Sequence, residues 1–275
     1  MQHKRQRIQG EDAPGAVCYD FQGKGYSQRV QPDISRRKTM SDIFYEPDKK
    51  FSDILNEKKN FLFIGEAGSG KTEIVLNVAA WLAEHGDGSK VDVFDMDQTK
   101  PLFRSRDMEE QFAEKGVEIH YQVQYLDAPT RVGGIEVSLM SDNYTIMDIG
   151  GGEQAARAAG TVAHILKRTN SVPVYIINPY RPWTKNIESL DLTMGTILRA
   201  VRLDRIYLLG NPNVGYTTEA SEFMEGLDRI DDLLKDFTKV SSACVRRELY
   251  DQVKDKTDKD VFPLDLYMTY SWVDR

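Results

Sequence analysis

Short apolar runs alternate with longer amphipathic stretches along the middle of the chain. Apolar runs that stop at glycine, proline or aspartate are typical of buried parallel strands, and apolar residues recurring on one face indicate helices. The predicted strands are Asn60–Ile64, Val91–Asp95, Val117–Tyr125, Asn143–Met147, Val172–Asn178 and Arg205–Leu209. The predicted helices are Thr72–Glu84, Arg106–Lys115, Gln154–Lys167, Ile187–Val201 and Glu219–Lys235. This alternation predicts an α/β fold, a doubly wound and mostly parallel sheet with helices on both faces.

The two ends of the chain differ from this middle part. Residues 1–45 combine glycine, proline and polar residues without apolar periodicity, which predicts an extended or flexible N-terminal arm. Residues 46–240 form the predicted main domain. Residues 241–275 contain a charged stretch followed by an aromatic-rich run, and we expect this C-terminal extension to pack on the domain.

Composition narrows the class of protein. The 275 residues carry a net charge of −7, which argues against broad, unspecific binding to nucleic acid or anionic membrane. Neither Cys18 nor Cys244 lies in a metal-binding spacing, and they indicate no disulfide framework. A reducing cytoplasm fits this pattern, and no apolar run reaches the length of a membrane span.

A glycine-rich turn between the first predicted strand and helix carries the clearest chemistry. Gly65-Glu-Ala-Gly-Ser-Gly-Lys-Thr72 matches the P-loop pattern G-x-x-x-x-G-K-[ST] in full. Its glycines let successive backbone N–H groups face phosphate oxygens, Lys71 reaches the β- and γ-phosphates as a catalytic cation, and the Thr72 hydroxyl binds Mg²⁺. The predicted nucleotide-binding residues here are Gly65, Glu66, Ala67, Gly68, Ser69, Gly70, Lys71, Thr72 and Glu73.

Two further predicted strands end in acidic residues. The first ends in Asp95-Met-Asp97, where one carboxylate can hold Mg²⁺ or its water and the other can orient an attacking water. A ribose-binding acid or a solvated carboxylate pair is the alternative. The second ends in Asp148 before Gly150–Gly152, as expected of a magnesium-side acid followed by a turn in which Gly151 approaches the γ-phosphate. A simple flexible turn is the alternative there.

The base is predicted from the strand that ends at Asn211. Guanine-specific P-loop proteins use an Asn/Thr-Lys-x-Asp signature, and Leu209-Gly-Asn-Pro-Asn-Val214 contains no Lys-x-Asp. The amide of Asn211 can both donate to and accept from adenine, which favours ATP. A turn residue before Pro212 is the alternative interpretation.

These motifs together resemble the deviant-Walker P-loop NTPases of the MinD, ParA, CooC and CobQ/CobB kind, in the SIMIBI class. The resemblance rests on Asp95–Gln98 and Asp148–Gly152, and it covers roughly Asn60–Lys235. It implies a doubly wound parallel sheet, ATP hydrolysis, and a dimeric switch whose partners are metal clusters, DNA, membranes or other enzymes. It also implies three roles: a magnesium-side acid at Asp95, a water-orienting residue at Asp97 and the Walker B acid at Asp148.

The chain departs from that family at Glu66. Many members carry a signature lysine at this position, which crosses a dimer interface to the partner's phosphates. A carboxylate would repel phosphate instead, which leaves the homodimer implied by the resemblance open. Arg104 and Arg106 can supply the missing positive charge, or they pair with neighbouring acids on the surface.

Three functions remain after these observations. The first is a Mg²⁺-dependent ATPase that acts as a nucleotide-driven switch or maturation factor for a protein partner. The alternative is a small-molecule kinase or ATP-dependent ligase of the CobQ/CobB type. The third is a non-hydrolysing ATP sensor, which Glu66 favours. The segment Pro179–Asn186 follows a predicted strand end and is either a contact for a partner or base, or a packed loop.

Overall fold

The computed structural model describes residues 43–96, 106–121 and 133–268, apart from the side chains of residues 106, 107 and 154. All of these residues belong to one compact unit, Thr39–Arg275. The predictions for Asp97 and Arg104, and for most of the N-terminal arm, therefore lie outside the described residues. Among the described helices, none combines the length and apolar character needed to cross a bilayer.

The described elements alternate between strands and helices along most of the chain. The strands are β1 (Asn60–Ile64), β2 (Val91–Asp95), β3 (Val117–His120), β4 (Tyr144–Asp148), β5 (Ser171–Ile177), β6 (Tyr207–Gly210), β7 (Ser242–Arg246) and β8 (Asp260–Leu264). The helices are α1 (Phe51–Glu57), α2 (Lys71–His85), α3 (Arg106–Glu114), α4 (Ile135–Leu139), α5 (Glu153–Ala159), α6 (Ala163–Leu166), α7 (Ile187–Val201), α8 (Ala220–Leu234) and α9 (Arg247–Val253).

The strands of the described residues form one eight-stranded sheet in the order β3-β2-β4-β1-β5-β6-β7-β8. Every strand pairing within the described ranges is parallel. The predicted α/β fold with a parallel sheet is therefore confirmed. Because β1 lies between β4 and β5, the residues that follow these three strands meet at one edge of the sheet.

Both faces of the sheet are covered by apolar side chains. On β1, Phe61 and Phe63 join the core under α1, α2 and α3, whereas Leu62 and Ile64 join the core under α4 to α8. Successive side chains of a strand point to opposite faces, so a strand buried on both faces needs the continuous apolar run that predicted it. These two cores fix the order of the strands and hence the positions of their carboxyl ends.

The predicted helix Gln154–Lys167 is interrupted. Helix α5 gives way to a 3₁₀ turn at Gly160–Val162 before α6 begins. A β-carbon built at Gly160 would lie 2.3 Å from the carbonyl oxygen of Ala200, at the end of α7. The 3₁₀ turn thus lies where Gly160 packs closely on α7. An amphipathic sequence pattern does not reveal such a contact.

The C-terminal part of the chain contributes to the sheet. Strand β7 pairs with β6 through Gly210 and Ala243, and β8 pairs along the whole of β7. The boundary predicted after residue 240 therefore falls between two paired strands of one sheet.

A buried carboxylate fixes β2 to its neighbours. Asp92 is 4% exposed, and its Oδ2 accepts hydrogen bonds from Ser138 Oγ at 2.8 Å and Asn143 Nδ2 at 3.0 Å. Its Oδ1 lies 3.2 Å from His120 Nε2. Burial alone would raise the pKa of Asp92, but the hydrogen bonds from Ser138, Asn143 and His120 outweigh it and lower the pKa. The network holds the strand that ends at Asp95.

We expect Asp92→Asn to lower the free energy of unfolding by about 1–3 kcal/mol at pH 7, because one carboxylate oxygen becomes a donor and the charge that strengthens the hydrogen bonds from Ser138, Asn143 and His120 is lost. A lowered pKa contributes stability above the ordinary pKa of about 3.9, and this contribution is lost as pH falls through the lowered value. The difference between variant and wild type should therefore persist from pH 7 to about pH 4 and shrink below it. Urea denaturation across this range measures it. Asp228→Asn, at an exposed position of α8, is the control.

Candidate functional site

The loop from Gly65 to Gly70 joins β1 to α2 at the carboxyl edge of the sheet. Gly65, Gly68 and Gly70 have φ angles of 145°, 75° and 92°, in the region that side-chain-bearing residues rarely adopt. Gly70 immediately precedes the first residue of α2. The glycine spacing of the motif therefore corresponds to backbone positions that require glycine.

The inside of the loop is lined by Lys71 and Ser69. Lys71 is 6% exposed, and its ammonium donates to the carbonyl oxygens of Gly65 at 3.0 Å and Glu66 at 2.9 Å. Ser69 is 2% exposed, and its hydroxyl has no hydrogen-bond partner among the described residues. A buried hydroxyl without a partner is costly, and an oxygen-rich ligand in the loop would satisfy it.

Side chains from the neighbouring strand ends hold the outside of the loop. Asn211, after β6, donates from Nδ2 to the Ser69 carbonyl at 2.7 Å. From the segment after β5, Arg181 Nε donates to the Gly68 carbonyl at 2.8 Å and Trp183 Nε1 to the Ala67 carbonyl at 3.4 Å. These three contacts bind the carbonyl groups of three consecutive loop residues.

The bonded carbonyl groups determine where the loop's N–H groups point. In a planar trans peptide the C=O and the N–H of the next residue point in opposite directions. Because the Ala67 and Ser69 carbonyls face the side chains outside the loop, the N–H groups of Gly68 and Gly70 face the other way. The N–H of Ser69 donates to the Glu66 carbonyl at 3.2 Å and closes the turn. The arrangement matches a concave cradle for anions.

Gly151, in the turn after β4, lies in close contact with the loop. A β-carbon built at Gly151 would lie 2.5 Å from the Ala67 nitrogen and 2.8 Å from its Cα. The turn after the acidic strand and the phosphate loop therefore touch backbone to backbone. Glycine is required here by the close approach.

The acidic residues lie on adjacent strands beside the first turn of α2. Thr72 Oγ1 donates to Asp148 Oδ2 at 2.6 Å, and Asp148 is 1% exposed. Asp95 is the register partner of Asp148, and the Met96 N–H donates to the Asp148 carbonyl at 2.9 Å. Carboxylate and hydroxyl oxygens are the donors Mg²⁺ prefers, so the chemistry of this group fits that ion.

The structure thus brings together most of the predicted site residues. The loop residues 65–72, Gly151, Asn211, Asp95 and Asp148 all lie at the same edge of the sheet. Asp97 and Arg104 lie outside the described residues, as does the side chain of Arg106.

Two predicted residues have different partners from those expected. The Glu73 carboxylate accepts backbone N–H groups of Tyr267 at 2.5 Å and Met268 at 3.2 Å. Burial raises the pKa of Glu73, although the two hydrogen bonds act to lower it. Asn211, predicted to contact adenine, is 4% exposed and uses its amide nitrogen on the Ser69 carbonyl.

The contacts of Arg181 and Trp183 with the loop were not predicted. Sequence reasoning proposed Pro179–Asn186 as a contact for a base or partner, or as a packed loop. The signal for loop packing was its place after the strand that neighbours β1, since the carboxyl ends of adjacent parallel strands meet.

Comparison with protein families gives one match that covers more than half of the chain. Residues 61–223 match the family described as the CobQ/CobB/MinD/ParA nucleotide binding domain. The match includes β1 from Phe61 onward, the phosphate loop, both acidic strands and Asn211. A comparison with curated proteins finds no match.

Solved structures share parts of this architecture at low identity. Chloroplast FtsY from Physcomitrella patens is 13% identical with a TM-score of 0.44, covering 76% of this chain and 63% of its own. FlhF complexed with GTP and Mg²⁺ is 10% identical with a TM-score of 0.39 and 62% coverage of each chain. The kinase domain of the Escherichia coli tyrosine kinase ETK is 15% identical with a TM-score of 0.43, covering 62% and 73%. The chain therefore spans less than two thirds of the FtsY and FlhF chains.

We expect Gly151→Ala to weaken nucleotide binding by at least about tenfold, since the new methyl group would overlap Ala67 and displace the loop. Isothermal titration calorimetry with a non-hydrolysable ATP analogue and Mg²⁺ measures the affinity. Gly133→Ala is the matched control, because a β-carbon there meets nothing within 4 Å. Unchanged binding by a folded Gly151→Ala protein would contradict the described contact.

The role of Asn211 can be separated into loop support and base recognition. If Asn211 supports the loop, Asn211→Ala should weaken the affinity for ATP and for inorganic triphosphate by similar factors, about tenfold for the loss of one buried hydrogen bond. If Asn211 recognises adenine, only the ATP affinity should fall. Competition binding of the two ligands to variant and wild type decides between them, and we expect parallel losses.

Proposed function

Because the chain belongs to the CobQ/CobB/MinD/ParA nucleotide-binding domain family, we propose that it binds ATP with Mg²⁺ and hydrolyses it as a switch acting on a protein partner. The observation that carries this proposal is the phosphate loop itself, with carbonyls held from outside, N–H groups facing inward and a buried lysine at its base. Its neighbour Thr72 bonds directly to Asp148.

Each residue around the loop has a task that its position supports. The N–H groups of Gly68 and Gly70 and the N-terminal end of α2 bind phosphate oxygens. Lys71, now bound to loop carbonyls, places its ammonium against the β- and γ-phosphates. The Ser69 hydroxyl donates its unpaired hydrogen to the same group of oxygens.

Thr72, Asp95 and Asp148 would hold the magnesium ion. When bound, Mg²⁺ neutralises charge on the phosphate oxygens. Asp148 keeps the Thr72 hydroxyl oriented, and its burial excludes water from this side of the site. Asp97 is proposed to orient the attacking water, as the family pattern implies.

ATP is proposed over GTP. Residues Leu209–Val214, beside the loop, contain no Lys-x-Asp for guanine. Asn211 lies against the loop, so any base contact has to be made together with its bond to Ser69. Selectivity for adenine would then come from the outer surface of the segment that follows β6.

A switch needs a path from the γ-phosphate to the surface. The contact of Gly151 with Ala67 gives the nucleotide a direct route to Gly152, whose φ is 98° and which immediately precedes α5. Helix α5 packs on α7, where Leu192 is 68% exposed. We propose that a cytoplasmic protein partner binds the exposed surface of α7 around Leu192, and that this surface shifts with the bound nucleotide.

The residue at the position of the family's signature lysine bears on the oligomeric state. Glu66 is half-buried in the loop, and its carbonyl accepts from Lys71. A homodimer built on a lysine at this position is therefore not proposed, whereas a homodimer through other surfaces is compatible with the site.

We expect Lys71→Ala to weaken binding of ATP by about 10- to 100-fold and to reduce ADP release to background, because charged hydrogen bonds to phosphate are lost. Lys167→Ala, an exposed lysine beside Asp204, is the control. ADP and phosphate release are measured by a coupled assay.

The identity of the second product distinguishes the candidate functions. Free phosphate supports the ATPase, and a phosphorylated or ligated small molecule supports the kinase or ligase. Wild-type turnover no faster than that of Lys71→Ala leaves the ATP sensor.

A further inference from the structure

The C-terminal segment, residues 265–268, is attached to α2 directly behind the phosphate loop. Asn77, the seventh residue of α2, forms two hydrogen bonds with the backbone of Asp265. Its Nδ2 donates to the Asp265 carbonyl at 2.8 Å, and the Asp265 N–H donates to its Oδ1 at 2.7 Å. Asn77 is 5% exposed, so this pair is sheltered from water.

Glu73 continues this attachment toward the loop. It is the residue after Thr72, and its carboxylate accepts the N–H groups of Tyr267 and Met268. Asn77 Nδ2 also donates to the Glu73 carbonyl at 2.8 Å. The side chains of Glu73 and Asn77 therefore bind backbone N–H and C=O groups of the segment, as the backbone of a neighbouring strand does in a sheet.

Other elements hold the same segment from its far side. Arg247, the first residue of α9, pairs with both carboxylate oxygens of Asp265, one of them at 2.7 Å from Nη2. The Tyr267 ring packs edge-on against Phe112 of α3 at 5.0 Å, and Lys115 donates to its hydroxyl at 3.3 Å. The segment thus bridges α2, α3 and α9.

We propose that Glu73 and Asn77 are positioning residues that couple docking of the C-terminal segment to nucleotide binding. This inference rests on the proposed function, because it concerns the same phosphate site. No contact between the segment and the loop itself is required.

The coupling acts through the position of the first turn of α2. This turn carries Lys71 and Thr72, and Gly70 before it provides no side-chain cap. Docking of the segment on Glu73 and Asn77 restricts the motion of that turn relative to the sheet. A nucleotide that needs Thr72 in one place binds more tightly when the segment is docked, and by linkage the nucleotide favours docking by the same factor.

Asn77→Ala tests the coupling without changing charge and with a residue of high helix propensity. We expect it to weaken the affinity for a non-hydrolysable ATP analogue with Mg²⁺ by about 5- to 20-fold, the usual range for coupled sites. Glu84→Ala, an exposed change near the end of the same helix, should stay within about twofold of wild type, as surface substitutions usually do.

Arg247→Ala loosens the segment from α9 and leaves α2 untouched. Because the ion pair is exposed, we expect its loss to change the nucleotide affinity by no more than about twofold and to show itself as faster amide exchange of residues 265–268. Amide hydrogen exchange of residues 265–268 is measured in all proteins, with and without the analogue. In the wild type we expect the analogue to slow this exchange, and in Asn77→Ala the exchange should be fast.

Affinity and amide exchange together decide whether docking of the segment is coupled to nucleotide binding. Slowed exchange in the wild type, together with binding by Asn77→Ala that is weaker than that of Glu84→Ala, supports the coupling. Wild-type binding that leaves exchange at 265–268 unchanged overturns it while the proposed function stands, even where Asn77→Ala binds weakly, since that loss would then come from α2 alone. Equal affinities of Asn77→Ala and wild type overturn it as well. A folded wild type that fails to bind nucleotide overturns both.

Discussion

The bonds that hold three carbonyl groups on the outside of the phosphate loop determine what the inside can bind. Arg181, Trp183 and Asn211 each bind one carbonyl group. Peptide planarity then turns the N–H groups of Gly68 and Gly70 inward, while the N–H of Ser69 closes the turn on Glu66. Those side chains come from the ends of β5 and β6, while Gly151 comes from the end of β4. The cradle therefore depends on a strand order that places β1 between β4 and β5, and the two apolar cores on the faces of the sheet fix this order.

The motif and most of the fold could be predicted because each rests on a local requirement. The loop needs glycine at backbone positions with positive φ, and β1 needs apolar residues on both faces, so both are visible in the sequence. Strands β7 and β8 were not predicted. They lie toward one edge of the sheet, and Pro263 within β8 is tolerated because edge strands leave some N–H groups unpaired.

The partners of polar side chains could not be predicted, and Glu73 and Asn211 show why. Glu73 follows Thr72 in sequence, but each residue of an α-helix is rotated by about 100° from the last, and its carboxylate accepts backbone N–H groups of the C-terminal segment. The amide of Asn211 suits an adenine and a peptide carbonyl equally well. Which one it meets depends on the distance between the end of β6 and the loop, and this distance is a property of the packed sheet.

Two routes lead away from the loop, and they differ in what they can transmit. The route through Gly151 to α5 and α7 includes two close backbone contacts, one between Gly151 and Ala67 and one between Gly160 and Ala200. Close-packed contacts of this kind pass on a displacement. The route through Glu73 and Asn77 consists of hydrogen bonds to a chain segment, which are either formed or broken. It is therefore suited to report whether the C-terminal segment is docked. Under the proposed function a single nucleotide would bias both routes, because Ala67 lies in the loop and Thr72 in the helix that follows it.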